Sequence, residues 1–279
     1  MARSFVHLVN PVAFPPGHAL LRAQAVTFES MIRARDASPD LNVTLMAAAY
    51  DEDVPAIPEG FVRGPALVRS IQDVGAFDGR RKLPLIADLL RVAYEGSEAE
   101  ALIFTNVDIA LQPHFYSAVD ALLSAGGPCL SITRRTVDDP PEERPDLAAL
   151  YRQEGRPHPG HDCFVFPRAW VPELVLGHVA VGVPWIGRAL LANLGVMDPR
   201  LRVIGDAHLT FHLGDDRAWS RPADRPYRRH NMREARRSLA NLSRRPGALS
   251  NPHLRVAAAK WLSAQLTGEL RYLAARIGR

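Results

Sequence analysis

Ala101-Leu-Ile-Phe-Thr105 is the run that most limits what this chain can fold into. Side chains alternate between the two faces of a strand, so an unbroken apolar run needs cover on both faces. That is the situation of a central strand in a mostly parallel sheet. Neighbouring segments supply the rest of such a layer. Phe5–Val9, Asn42–Tyr50, Cys129–Thr133 and Cys163–Phe166 read as further strands. Between them, Leu21, Ala25, Phe28 and Ile32 recur at helical spacing. Leu83–Glu95 keeps its polar positions Pro84, Asp88, Arg91 and Glu95 on one stripe, and His114–Ala125 reads as a third helix. Strands alternating with helices imply right-handed crossovers and a doubly wound, Rossmann-like α/β domain.

Other segments do not fit that rhythm. Asp138–Pro145 is acidic and proline-rich, hence a loop, and is followed by His158-Pro-Gly-His-Asp162. Leu174–Gly187 is weakly polar but too short to span a bilayer, which predicts a buried or re-entrant segment. No internal repeat stands out. Cys129 and Cys163 are the only cysteines, too few for a disulfide framework, and the N-terminus lacks a secretory cleavage pattern. A cytoplasmic location is expected.

Charge is unevenly distributed. Residues 217–279 hold 15 of the 34 basic residues and three acids (Asp224, Glu234, Glu269), which leaves +12 there and −8 over residues 1–216. Base composition accounts for arginine outnumbering lysine, of which there are two, Lys82 and Lys260. It does not account for the clustering. We therefore divide the chain into an α/β domain, 1–219, and a basic tail, 220–279, in which an arginine-rich segment with scattered prolines, Arg221–Arg245, leads into a C-terminal amphipathic helix.

In open α/β sheets, ligands bind beyond the carboxyl ends of the strands. Ala101–Thr105 delivers Asn106-Val-Asp108 to that edge, where two oxygen-bearing side chains at i and i+2 suit a hard divalent cation. A helix-capping role is the plain alternative. The stretch Leu102-Ile-Phe-Thr-Asn-Val-Asp-Ile109 resembles the strand and DxD motif of GT-A-fold glycosyltransferases. The helices Leu83–Glu95 and His114–Ala125 flank it as in that fold, and the similarity extends over residues 1–219. The resemblance implies a mostly parallel GT-A-like sheet flanked by helices, and a sugar moved from a nucleotide-sugar donor to a hydroxyl acceptor in a glycan or on a lipid. It also implies Mn²⁺ or Mg²⁺ held by Asn106, Asp108 and a late histidine, His212 in Thr210-Phe-His-Leu-Gly214. The first DxD position is an amide, which coordinates through its carbonyl without adding charge.

Gly160-His-Asp-Cys-Phe-Val-Phe166 falls in the acceptor region of the family. Asp162 is the expected general base and His161 a substrate contact, with an Asx-turn role the alternative for Asp162. His161-Asp162 also admits a metal phosphohydrolase, but such pairs sit on a helix and a β-rich run follows here. His208 lies four residues from His212; in a strand the two are about 13 Å apart and cannot share an ion. For the leaving diphosphate, Arg80-Arg81-Lys82 precede the helix Leu83–Glu95 and combine positive charge with a helix N-terminus. Asn10 and Asp73, at the ends of predicted strands, are candidates for base or ribose.

Three readings compete for the tail. It binds nucleic acid, for which no reader motif is present; it supplies Arg228 and Arg229 to the donor diphosphate; or it lies on an anionic membrane. Leu262, Leu266, Leu270, Leu273 and Ile277 make an apolar stripe in a predicted last helix, Leu254–Ile277, which gives the membrane reading its support and predicts peripheral attachment to the inner face of the cell membrane. Packing on the core is the alternative. Beside sugar transfer stand a non-catalytic membrane-associated adaptor on the same scaffold and a nucleotidyltransferase.

Overall fold

The computed structural model describes residues 2–77, 81–140, 145–214, 221–248, 251, 252, 255 and 259. In chain order the strands are β1 (Ser4–Val9), β2 (Asn42–Ala47), β3 (Val62–Arg63), β4 (Ala101–Thr105), β5 (Ala110–Leu111), β6 (Leu130–Ile132), β7 (Arg135–Val137), β8 (Arg156–Pro157), β9 (Cys163–Pro167), β10 (Arg202–Ile204) and β11 (Thr210–Leu213). The α-helices are α1 (Ala19–Asp36), α2 (Ile86–Glu95), α3 (Phe115–Ala125), α4 (Leu147–Arg152), α5 (Ile186–Met197) and α6 (Arg225–Leu242). Seven strands form the central sheet in the order β10-β6-β9-β4-β1-β2-β3. All its pairs are parallel except those of β9, which runs against both β4 and β6. A second, four-stranded sheet has the order β5-β11-β7-β8.

The apolar run Ala101–Thr105, now β4, is covered on both faces. Leu102 and Phe104 pack with Leu89, Leu90, Leu190 and Leu194 of α2 and α5. Ala101 and Ile103 pack on the other face with Phe28, Met31, Phe115 and Val119 of α1 and α3. Strand β9 alternates likewise, Phe164 and Phe166 to the first cluster, Cys163 and Val165 to the second. His7 is the one ionisable side chain placed deep in β1. Its Nδ1 is hydrogen-bonded with the Tyr116 hydroxyl at 2.9 Å and its Nε2 with the Thr105 hydroxyl at 3.0 Å. Burial holds its pKa down at about 3, so the ring is neutral.

Two expectations need correction. The helix predicted from Leu83 starts at Ile86. Pro84 disfavours a helical residue before it, and the chain stays extended here, bridging Pro84 to Ser70 and Leu85 to Ala180. Arg81 and Lys82 are therefore not at a helix N-terminus, and Arg80 lies outside the described residues. Asp73 does not end a strand. It closes a 3-10 turn, Ile71–Asp73, as the acid of a capping box: its carboxylate accepts from the amide and hydroxyl of Ser70.

Leu174–Gly187 is partly buried, with Leu176, Val179, Ala180 and Val183 in the core and Gly177 and Gly182 exposed. It is an irregular segment, and its backbone groups are satisfied largely by α6. Asn231 accepts from the Ala180 amide at 2.8 Å and donates to the Ala180 and Pro184 carbonyls. Glu234 accepts from the His178 amide, and His230 donates to the His178 carbonyl. The arginine-rich stretch is thus helical over Arg225–Leu242 and seated on the α/β body. The predicted helix Leu254–Ile277 lies outside the described residues apart from Arg255 and Ala259.

Candidate functional site

The site is built where three chain reversals meet one sheet edge. β4 ends at Thr105, directly opposite Cys163, where antiparallel β9 begins. Asn106 and Asp108 therefore leave the sheet beside Asp162, which enters it. Pairing of β5 with β11, Phe211 opposite Ala110, then carries His212 alongside Asp108, 104 residues earlier in the chain. β6 ends at the same edge and is followed by Arg134.

His212 Nε2 lies 3.3 Å from Asp108 Oδ2, and its Nδ1 lies 2.9 Å from the Gly214 carbonyl oxygen. A carbonyl can only accept, so Nδ1 carries a hydrogen. Nε2 is left to share a proton with Asp108 or, in the neutral ring, to offer its lone pair. Burial opposes charge on both groups, yet their mutual hydrogen bond and charge prevail. The Asp108 carboxyl is held below, and the His212 imidazole above, its ordinary pKa. Arg134 acts on both: its charge lowers each pKa.

Arg134 also anchors the other carboxylate. Its Nη1 is 3.0 Å from Asp162 Oδ1, and both side chains are only 12% exposed. His158 Nδ1 is 3.6 Å from Asp162 Oδ2 but accepts the Gly160 amide at 3.0 Å, so it has no hydrogen to give that oxygen. No backbone amide reaches Asp162 Oδ2, which is buried without a hydrogen-bond partner. The Asx-turn alternative is thus replaced by an ion pair.

Seven buried side-chain polar atoms have no hydrogen-bond partner among the described residues; four of them are Asn106 Oδ1, Asp108 Oδ1, Arg134 Nε and Asp162 Oδ2. Leaving such a group unpaired costs about 1–3 kcal/mol. Their concentration at one sheet edge marks a place prepared for a polar ligand. Two unpaired oxygens and an imidazole nitrogen suit Mn²⁺ or Mg²⁺ only if other oxygens complete the shell. Among the described residues no three His, Cys, Asp or Glu gather as a metal cage. The donor set therefore fits a cation that arrives with an oxygen-rich anion.

Of the remaining sequence candidates, His161 and Asn10 also stand at this edge, the first next to Asp162 and the second just past β1. His161 Nδ1 is hydrogen-bonded with Ser131 Oγ at 3.0 Å. A Cβ on Gly187 would come within 2.7 Å of the His161 carbonyl oxygen, so glycine lets α5 begin against this loop. Asn10 donates to the Ala48 carbonyl at 2.7 Å and ties together the ends of β1 and β2. Lys82 pairs with Glu52 and lies 3.9 Å above the Tyr50 ring. Arg81 pairs with buried Asp224. Arg228 donates to the Arg221 carbonyl, and Arg229 is exposed on α6. His208 adopts φ 44° in a turn outside β11, where Gln112 donates to it. Arg134 was not among the sequence candidates. Its position just past a strand, at the edge where ligands collect, is the signal that could have found it.

No family model and no curated protein matches this sequence. Among solved structures, it is similar to S. aureus TarS residues 1–349 in complex with UDP-GlcNAc, with TM-score 0.55 and 10% identity over 93% of this chain and 71% of that one. A longer S. aureus TarS structure matches with TM-score 0.50 and 11% identity, over 93% of this chain and 43% of that one. At such identities the likeness speaks for the backbone alone. It establishes a GT-A-like fold, a mostly parallel sheet flanked by helices.

Proposed function

We propose that this chain is a glycosyltransferase that moves a sugar from a nucleotide-sugar to a hydroxyl acceptor. The observation that carries the reading is the gathering of unpaired atoms from Asn106, Asp108, Arg134 and Asp162 at one edge of a GT-A-like sheet. Asn106 Oδ1, Asp108 and His212 Nε2 would hold a divalent cation together with the donor diphosphate. Such a cation, when bound, offsets charge developing on the leaving phosphate. Asp162 Oδ2 would take the proton from the acceptor hydroxyl as its oxygen attacks the sugar carbon and the bond to the diphosphate breaks. Arg134 grips Asp162 Oδ1, which leaves Oδ2 as the basic atom.

UDP-GlcNAc, bound in the S. aureus TarS structure, is the first donor to test. Thermal unfolding with UDP and UDP-sugars, with and without Mn²⁺ or Mg²⁺, is the measurement. A metal-dependent upward shift that disappears in Asp108→Ala supports the reading. Asn106 favours a second one: with an amide at the first DxD position the scaffold serves as a non-catalytic adaptor. Failure of every nucleotide to shift unfolding, with or without metal, would choose the adaptor.

A further inference from the structure

α6 sorts its charges by sign. From residue 221 to 245 the chain has nine arginines and two acids. Both acids turn inward: Asp224 is buried beneath Arg81, and Glu234 is buried against the His178 amide and Arg237. The arginines are left outside. Arg225, Arg229, Arg233 and Arg237 are all exposed and follow one another at four-residue steps, which makes a ridge about 18 Å long. Among the described residues Arg225, Arg229 and Arg233 make no ion pair; Arg237 pairs within the helix with Glu234. Like charges four apart on a helix repel. The ridge is held against that repulsion by the opposite face of α6, where Tyr227, Asn231, Ala235, Ser238 and Leu242 are buried.

We propose that this ridge docks the protein on an anionic lipid surface. An exposed row of guanidinium groups matches a surface of phosphate headgroups. Base stacking is not on offer there, because Tyr227, the aromatic of α6, is buried and stacked on Phe77. Among the described residues no helix is long and apolar enough to cross a membrane. The inference does not depend on the sugar-transfer reading.

The test is co-sedimentation of the full chain with phosphatidylcholine vesicles and with mixed phosphatidylcholine–phosphatidylglycerol vesicles. Binding to the mixed vesicles alone, released by high salt, is expected. Replacing Arg225, Arg229 and Arg233 together by Gln should weaken it by about a hundredfold, roughly fivefold per arginine, with the unfolding midpoint unchanged. Should that variant fail to fold, a salt titration of the unaltered chain decides, and salt-insensitive binding overturns the proposal. Equal binding to both vesicle types, or an unchanged triple variant, also overturns it. So does affinity for a single-stranded oligonucleotide that the triple variant loses while vesicle binding is absent, which would assign the ridge to nucleic acid.

Discussion

Two regions of this molecule bury polar side-chain atoms, and they treat them in opposite ways. Beneath α6, each buried polar group closes a bond with an irregular backbone. Asn231 meets Ala180 and Pro184, Asn193 meets Val175, and Glu234 meets His178. At the β4 edge, Asn106, Asp108, Arg134 and Asp162 each keep an atom unpaired. The first arrangement substitutes for secondary structure. The second stores unsatisfied polarity where three chain reversals converge. Residue type does not separate the two, since both use Asn and a carboxylate; completeness of pairing does.

The sharpest way to break this contrast is Asp108→Ala. It should lower the proposed transferase activity by about a thousandfold while changing thermal stability little, because the lost bond to His212 is offset by removal of a buried unpaired oxygen. A large loss of stability would mean that Asp108 belongs with the structural groups. Arg134→Gln leaves the Asp162 carboxylate buried without its cation and should destabilise by about 3 kcal/mol. Pairing it with Asp162→Asn should recover much of that in chemical denaturation, and strict additivity would argue against the ion pair. Asn231→Ala strands the Ala180 amide and three carbonyls, those of Ala180, Val183 and Pro184, and should remove about 2–3 kcal/mol without altering any nucleotide response.

His7 gives a test by pH. Its pKa is about 3 in the folded chain and near 6.5 when unfolded, so between these values the unfolded chain binds a proton that the folded chain does not. Stability should therefore fall as pH drops through 6.5, by up to about 1.4 kcal/mol per pH unit, and this component should be absent above that range. His7→Gln should flatten that slope in denaturation midpoints measured across the window; an identical slope would place the titration elsewhere. The smallest effect is Asp73→Ala, a slight loss of stability from its capping box, with the nucleotide response intact. A lost nucleotide response would return Asp73 to the site.

Much of the α/β layer is legible in apolar periodicity. Ala101–Thr105 is a strand over the residues read, and the helix read as His114–Ala125 spans Phe115–Ala125 with His114 as its cap. Helix α6 escapes the same method because its buried face is polar. Tyr227, Asn231, Glu234 and Ser238 lie at helical spacing, but they do not register as an apolar stripe. The start of α2 is missed because Leu83–Leu85 is apolar whether helical or extended, and partners at Ser70 and Ala180 decide between the two. In the site, Asn106, Asp108, Asp162 and His212 can be nominated from motif and strand position. Arg134 cannot be separated from its 31 fellow arginines without knowing which strand ends share an edge.

What this sequence determines by itself is local: which runs must be covered on both faces, where turns fall, and which side chains stand just past a strand. Hydrophobic period and proline sterics act within a few residues, so they can be read from the chain alone. The tertiary structure decides pairing. Antiparallel β9 sets Asp162 beside Asn106, the β5–β11 register brings His212 to Asp108, and α6 turns Asp224 and Glu234 inward so that its arginines face out. Those outcomes follow from long-range register and burial, which give one carboxylate a partner and leave another's oxygen without one.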